Sequence, residues 1–253
     1  MRYQTFSKRV IKELVREPLS YIFCVGFPLV MLVVMTLINQ SIPKEANMDI
    51  FKIQYLCPGI AVFGLTFVML FVCLQVSKDR SSAFLLRLYA SPMKSFDFIA
   101  GYTFPVMLLA VAQIILCFGA SFVIGCVSGY TFHILNMLIA LLSLLPTALL
   151  FIGFGMLFGT LLGEKTSPPL CSIVISVASI LGGVWMDVDA MGGGLLQVAK
   201  VLPFYYSVKV TRYAMFGEYS DMIRPLLVLL LYMAVIYILA LFVFRKKMQS
   251  DIK

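Results

Sequence analysis

Six long stretches of this sequence contain no aspartate, glutamate, lysine or arginine. They cover residues 19–39, 55–77, 98–126, 134–163, 169–186 and 225–244. A helix needs roughly 20 apolar residues to cross the hydrocarbon core of a bilayer, and a charge held at mid-membrane is costly. We therefore expect an all-α membrane protein, with six transmembrane helices in a single domain that covers residues 1–253.

The overall composition excludes an ordinary soluble domain. Hydrophobic residues make up 61% of the chain and charged residues 13%, against about half and about a quarter in soluble domains. The net charge is +8, but the basic residues lie beside the apolar stretches, where anionic lipid headgroups attract them. We expect membrane lipid, and no nucleic acid, as the partner of this positive charge.

Lysine and arginine are unevenly divided between the segments that join the six stretches. With the N-terminus inside the cell, the inner segments hold fourteen of these residues and the outer segments hold six. Inner segments of membrane proteins carry the excess of positive charge. Both termini of this multi-pass cell-membrane protein are therefore expected in the cytoplasm.

The first segment, residues 1–17, has the pattern of an amphipathic helix. Helical spacing gathers its charged side chains on one face and its apolar side chains on the other. The apolar face holds Tyr3, Phe6, Val10, Ile11, Leu14 and Val15. Such a helix lies in the plane of the membrane interface, and Pro18 ends it before the first span. The alternative is a helix in solution ahead of that span.

No sequence pattern of an enzyme or of a nucleotide-binding site occurs. The phosphate-binding pattern G-x-x-x-x-G-K-[ST] is absent, so any ATP and magnesium would bind to another subunit. The chain has one histidine, His133, and its six cysteines form no C-x-x-C pair, so we predict no metal site and no cofactor. All twelve acidic residues lie outside the six stretches, which argues against a proton-coupled transporter.

Glycine recurs at every fourth position late in the fourth stretch, at Gly155, Gly159 and Gly163. Small residues at this spacing leave a bare stripe on one side of a helix, where another helix approaches closely. We interpret the stripe as a surface for helix packing. Dimerisation through the stripe is the alternative.

The segment between the second and third stretches, residues 78–97, begins with the sequence KDRSSAFLLRLYASP, and Gly101 follows it. A charged run, a short helix, a serine-proline step and a glycine at the start of the next span resemble the first cytoplasmic loop of the ABC-2 family of transporter permeases. The resemblance implies a loop that couples the permease to an ATPase subunit. It assigns this coupling to Arg80, Leu85, Arg87, Leu88, Ser91 and Pro92.

A second part of the resemblance lies in the outer segment before the last span, residues 187–224. The sequences LGGVW at 181–185 and LPFYY at 202–206, with a basic residue after them, are similar to the ABC-2 pattern of a glycine-aromatic step, an aliphatic-proline pair and a downstream cation. The matching residues are Trp185, Pro203, Tyr206 and Arg212. In the family this segment re-enters the outer leaflet as short helices.

Taken over the whole chain, the resemblance implies the permease of an ABC exporter in a bacterial cell membrane, and not an enzyme. Its expected partners are an ABC ATP-binding subunit and a second permease copy or a paralogous permease. The expected cargo is hydrophobic or amphipathic, such as a drug, an antimicrobial peptide or a lipid-like molecule. The alternative is an ATP-independent membrane transporter, or an immunity or scaffold protein of the membrane.

Overall fold

The computed structural model of the chain describes residues 2–42, 49–81 and 95–250, and all regular structure in these ranges is helical. Helix α1 covers Arg2–Arg16, and the first apolar run comprises α2 (Pro18–Tyr21), a π-helical turn (Ile22–Gly26) and α3 (Phe27–Ser41). The other helices are α4 (Ile53–Ser81), α5 (Ser95–Val127), α6 (Ile134–Leu161), α7 (Ser167–Leu181), α8 (Val188–Met191), α9 (Gly193–Val201), α10 (Pro203–Phe216) and α11 (Tyr219–Ser250).

Within the described ranges, five helical runs have the length and composition of membrane spans. They are Ile22–Ser41, Ile53–Ser81, Phe96–Val127, Ile134–Leu161 and Tyr219–Lys247. The prediction of an all-α membrane protein is therefore confirmed, and the structure has a helix of spanning length at five of the six predicted positions.

The fifth predicted span, residues 169–186, is interrupted. Helix α7 ends at Leu181 after 15 residues, which is about 22 Å at 1.5 Å per residue, against a hydrocarbon core of about 30 Å. Gly183 has a φ of +75°, a backbone conformation that glycine adopts without steric cost. The prediction of an unbroken helix to residue 186 was wrong because hydropathy alone does not register this turn.

Helix α4 is the centre of the bundle. In its most apolar 18-residue window 94% of the residues are buried, against 17% in the corresponding windows of the first and last spans. It packs against α3, α5, α6, α7 and α10. The first and last spans expose large apolar side chains, among them Val30, Leu37, Leu231 and Phe242, as expected of surfaces that contact lipid.

The glycine stripe of α6 lies against α4. A Cβ added at Gly155 would lie 2.5 Å from the carbonyl oxygen of Met69, and one at Gly159 would lie 2.7 Å from that of Cys73. Only residues without a side chain permit this approach. Gly163 does not belong to the stripe, since it lies beyond the end of α6 and its added Cβ would meet only the Thr166 hydroxyl, at 3.9 Å.

One end of the bundle, called the α1 end here, gathers α1 and the ends of several spans. The ring of Phe6 in α1 lies 5.8 Å from that of Phe98 at the start of α5, which in turn lies 5.5 Å from that of Phe244 near the end of α11. Asp79 near the end of α4 accepts a hydrogen bond from Tyr102 of α5. The first helix and the last helix therefore meet at the same end.

The opposite end joins the starts of α4, α6 and α11 to the end of α10. The rings of Tyr55 and Phe216 lie 4.6 Å apart, and the hydroxyl of Tyr219 donates to the side chain of Asn136 at 2.6 Å. Helix α7 runs towards this end, antiparallel to α4: Cys171 lies beside Cys73, and a Cβ added at Gly59 would lie 3.5 Å from Val184.

Candidate functional site

A buried carboxylate organises the α1 end. Asp79 lies in the last turns of α4 and is 3% exposed. Its Oδ2 accepts hydrogen bonds from the Tyr102 hydroxyl at 2.8 Å and from the Gln75 amide at 3.4 Å. Its Oδ1 pairs with the Arg9 guanidinium at 3.1 Å. Donors from three helices thus surround the carboxylate, and this compensates the cost of removing it from water.

Helix α1 contributes a second carboxylate to the same network. Glu13 accepts from the Nε of Arg9 at 2.9 Å, one turn away on α1, and from the Gln75 amide of α4 at 2.7 Å. We call Arg9, Glu13, Gln75, Asp79 and Tyr102 the charge cluster. A cavity of about 400 Å³ opens beside it, with Lys78 also on its wall. Its charged lining suits contact with polar groups of another protein.

The seat of α1 on the bundle depends on Gly101. The Ser7 hydroxyl donates to the Gly101 carbonyl at 3.1 Å, and a Cβ added at Gly101 would lie 2.4 Å from the Phe6 ring. Phe6, Val10 and Leu14 are buried at this contact. These three residues of the predicted apolar face therefore pack on the bundle itself, while Val15, which was predicted on the same face, is exposed and Lys8 and Lys12 face outward.

The charge cluster borders the segment to which coupling was assigned. Helix α4 ends at Ser81 and α5 begins at Ser95, while the predicted coupling residues Leu85, Arg87, Leu88, Ser91 and Pro92 lie outside the described residues. Arg80 is described. Its guanidinium donates to the carbonyl of Thr160, and to that of Leu162 at 3.4 Å. Arg80 therefore holds the end of α4 against the end of α6.

The outer segment places its predicted residues in separate contacts. The Trp185 ring lies 5.1 Å from that of Phe63, and Pro203 is buried in the first turn of α10. The Tyr206 hydroxyl donates to the Lys200 carbonyl at 2.8 Å. Arg212 donates to the Gly183 carbonyl at 2.8 Å and so fixes the turn that ends α7.

Beside Arg212, an ion pair links α8 to α10. Lys209 binds the Asp189 carboxylate at 3.1 Å, and the Tyr205 hydroxyl donates to the same carboxylate at 2.5 Å. Burial opposes the charge of Asp189, but these two hydrogen bonds outweigh it and lower the pKa of the carboxyl. Burial likewise opposes the charge of Lys209, yet its bonds to Tyr205 and Asp189 raise the pKa of the amine.

The charge cluster was not predicted from the sequence. Arg9 and Asp79 are 70 residues apart, and a helix pattern reports only which side chains share a face, not which helices meet. Two local signals were present: the i, i+4 pairs Arg9–Glu13 and Gln75–Asp79. In the described part of the chain, no group of histidine, cysteine, aspartate and glutamate side chains has an arrangement that could hold a metal ion.

Comparison with known protein families matches residues 32–242 to the family described as ABC-2 family transporter protein. The matched range begins within α3 and ends within α11, so it contains the segment between α4 and α5 and the whole outer segment. No curated protein matches the chain. The family match confirms the resemblance that the sequence predicted.

Proposed function

Because the chain belongs to the ABC-2 family of transporter proteins, which are membrane transport subunits, we propose that it is the permease of an ATP-driven exporter. In this proposal a separate subunit binds ATP and magnesium. The observation that carries the proposal is the charge cluster, which ties α1, α4 and α5 together beside the segment 82–94. A motor that displaced this segment would act on α4 and α5 at once, and through Arg9 on α1.

The proposal assigns Arg80 a positioning role. Its bonds to the carbonyls of Thr160 and Leu162 hold the end of α4 at the end of α6. Carbonyls in the last turn of a helix lack partners within the helix and attract cations. Arg80 would therefore transmit a displacement of the segment 82–94 to α6 as well, while contact with the motor falls to the predicted residues of that segment.

We place the α1 end in the cytoplasm and count α7 as a sixth crossing. The excess of lysine and arginine favours this orientation, and an even number of crossings agrees with the meeting of α1 and α11 at one end. Helix α7 with the turn after it runs along α4 from the level of Cys73 to that of Gly59. A short helix is accommodated by local thinning of the bilayer at modest cost.

The proposed exporter contains two permeases, either two copies of this chain or this chain and a paralogue, together with ATP-binding subunits. The proposed cargo is a hydrophobic or amphipathic molecule such as a drug, an antimicrobial peptide or a lipid-like compound. The apolar character of the spans supports this cargo class, since polar cargo would need polar side chains along its path.

The test begins with the tagged chain, isolated from its native membranes together with bound proteins. We expect an ATPase subunit to co-purify. In liposomes, the complex should export fluorescent amphipathic drugs only when ATP is supplied. Transport at full rate by vesicles that contain the permease but no ATPase subunit would overturn the proposal and favour an ATP-independent transporter.

Two variants with the same chemical change examine the role of the charge cluster. Asp79→Asn removes the charge that holds Arg9, whereas Asp221→Asn makes the same change at an exposed position at the opposite end. Hydrogen bonds to charged groups contribute about 1.5–3 kcal/mol, so we expect at least about a tenfold loss of ATP-driven export for Asp79→Asn. Asp221→Asn should transport like the wild type. Equal rates for all three proteins would remove the cluster from the coupling path.

A further inference from the structure

A cavity of about 240 Å³ lies at the opposite end of the bundle, between α10, the start of α4 and the turn after α7. Rings of Tyr55, Tyr213 and Phe216 form part of its wall, and Arg212 forms another part. The cavity is therefore apolar on one side and carries a guanidinium on the other. This combination of surfaces fits a molecule with an apolar body and a charged group.

The guanidinium of Arg212 is incompletely paired. Its Nη2 donates to the Gly183 carbonyl at 2.8 Å, and its centre lies 5.8 Å from the Tyr55 ring. Its Nε is buried and has no hydrogen-bond partner in the part of the chain that the structure describes. Within the described ranges, no carboxylate lies within 4 Å of this guanidinium. A buried donor without an acceptor is costly and rare.

The acidic side chains around the cavity are engaged elsewhere or exposed. Asp189 is held by Lys209 and Tyr205. Asp187 accepts from the backbone N–H groups of residues 189 and 190, both at 3.1 Å, as the N-cap of α8. Glu218 lies exposed on the rim. Of the two described cations that line the cavity, Lys209 and Arg212, only Arg212 has a buried donor without an acceptor.

We propose that this cavity binds the anionic group of an amphipathic molecule, a phosphate or a carboxylate, through Arg212, with the aromatic rings against the apolar part. Two sources share this chemistry: a phospholipid of the adjoining leaflet and an anionic cargo leaving the transporter. The inference rests on the proposed function in one respect only: that function decides which side of the membrane the cavity faces. The binding itself needs no ATPase subunit.

The titration of Arg212 agrees with this geometry. Burial lowers its pKa to about 10, and the nearby charge of Asp187 offsets only part of that effect. The guanidinium is protonated below this pH and available to an anion. Affinity for an anion should therefore be constant across neutral pH, because a guanidinium keeps its proton there.

Trp185, the single tryptophan of the chain, reports on the site. It lies two residues after Gly183, whose carbonyl accepts from Arg212. The purified chain in an uncharged detergent is titrated with phenyl phosphate, and with phenyltrimethylammonium as the cationic probe of similar size. We expect a saturable change in tryptophan emission with phenyl phosphate alone.

Three variants connect this response to the cavity. Arg212→Gln should weaken phenyl phosphate binding at least about tenfold, because a charge-assisted contact is lost. Arg224→Gln, an equal change at an exposed arginine of α11, should bind like the wild type. Asp187→Asn keeps an N-cap side chain but removes an opposing charge that acts on Arg212, and should bind a few-fold more tightly.

The proposal is overturned if the wild type gives no saturable response, or if folded Arg212→Gln binds phenyl phosphate as the wild type does. Should Arg212→Gln not fold, Asp187→Asn decides, and unchanged affinity in that variant counts against the site. Failure of these titrations would leave ATP-driven export intact, so the two proposals fall separately.

Two measurements identify the source of the anion. Phospholipid phosphorus that co-purifies with the wild type and is lost in Arg212→Gln would identify a bound lipid. An export defect of Arg212→Gln restricted to anionic amphiphiles, with neutral ones exported normally, would identify cargo. Either result supports the anion site.

Discussion

At the α1 end, Asp79 is surrounded by donors from α1, α4 and α5, whereas at the opposite end Arg212 donates to a single backbone carbonyl. Both side chains are charged, and Asp79 is buried while Arg212 is half-buried. The partners of Asp79 come from helices far apart in sequence, so its charge joins those helices. The Nε of Arg212, by contrast, has no acceptor among the described residues. A buried charge is a structural junction in the first case and a place for a ligand in the second.

The largest expected effect follows from removing the charge at the junction. Asp79→Ala leaves Arg9 and Tyr102 without their shared acceptor, and breaking a buried pair costs about 3–5 kcal/mol. Because Arg9 is partly exposed, with 32% of its side chain accessible, we expect a loss near the lower end, about 3 kcal/mol. Equilibrium unfolding in mild detergent measures it. Asp221→Ala is the exposed control, and equal stability of the two variants would refute the junction.

A loss of stability of intermediate size should follow from disrupting the packing of α1 on the bundle without changing a charged residue. Gly101→Ala places a methyl group where the Phe6 ring lies, and overpacking of this kind costs about 1–3 kcal/mol. Gly119→Ala is a matched control in the same helix, since nothing lies within 4 Å of its added Cβ. We expect faster proteolysis within α1 for the first variant only. Identical cleavage of both variants would show that α1 does not depend on this seat.

The smallest effect is expected at Arg212 in the absence of ligand. Arg212→Met loses one hydrogen bond, but it also removes a partly paired buried charge, and such replacements are often neutral or stabilising. The unfolding free energy should change by less than about 1 kcal/mol. Arg224→Met supplies the exposed reference. A loss as large as that of Asp79→Ala would mean that Arg212 is a structural junction too.

How much of the structure can be predicted from the sequence depends on how far apart along the chain the interacting residues lie. Spans follow from hydropathy within about 20 residues, so five helices of spanning length lie where they were predicted. The end of α7 was mispredicted because a backbone turn at Gly183, and not a change in polarity, stops that helix. Gly163 shares the spacing of the glycine stripe, but α6 ends before it.

The residues of the two sites also differ in whether a local sequence pattern could single them out. Arg212 was singled out from a local pattern, and the structure adds its unsatisfied Nε. The bond between Arg9 and Asp79 could not be predicted from one sequence, because nothing within either helix specifies that they meet. Gly101 was noted as a step into the third span, while its contact with Phe6 is a matter of helix–helix packing.

The approach of α6 to α4 at Gly155 and Gly159 has a mechanical consequence. The α6 backbone lies there against the carbonyl oxygens of Met69 and Cys73 and against the short, branched side chains of Val72 and Val76, with no room for a side chain on α6. Interiors packed this closely have low compressibility and transmit strain. The central pair should therefore behave as a rigid body, and we expect any alternation between inward and outward states to move this pair as a unit relative to the first span, little of which is buried.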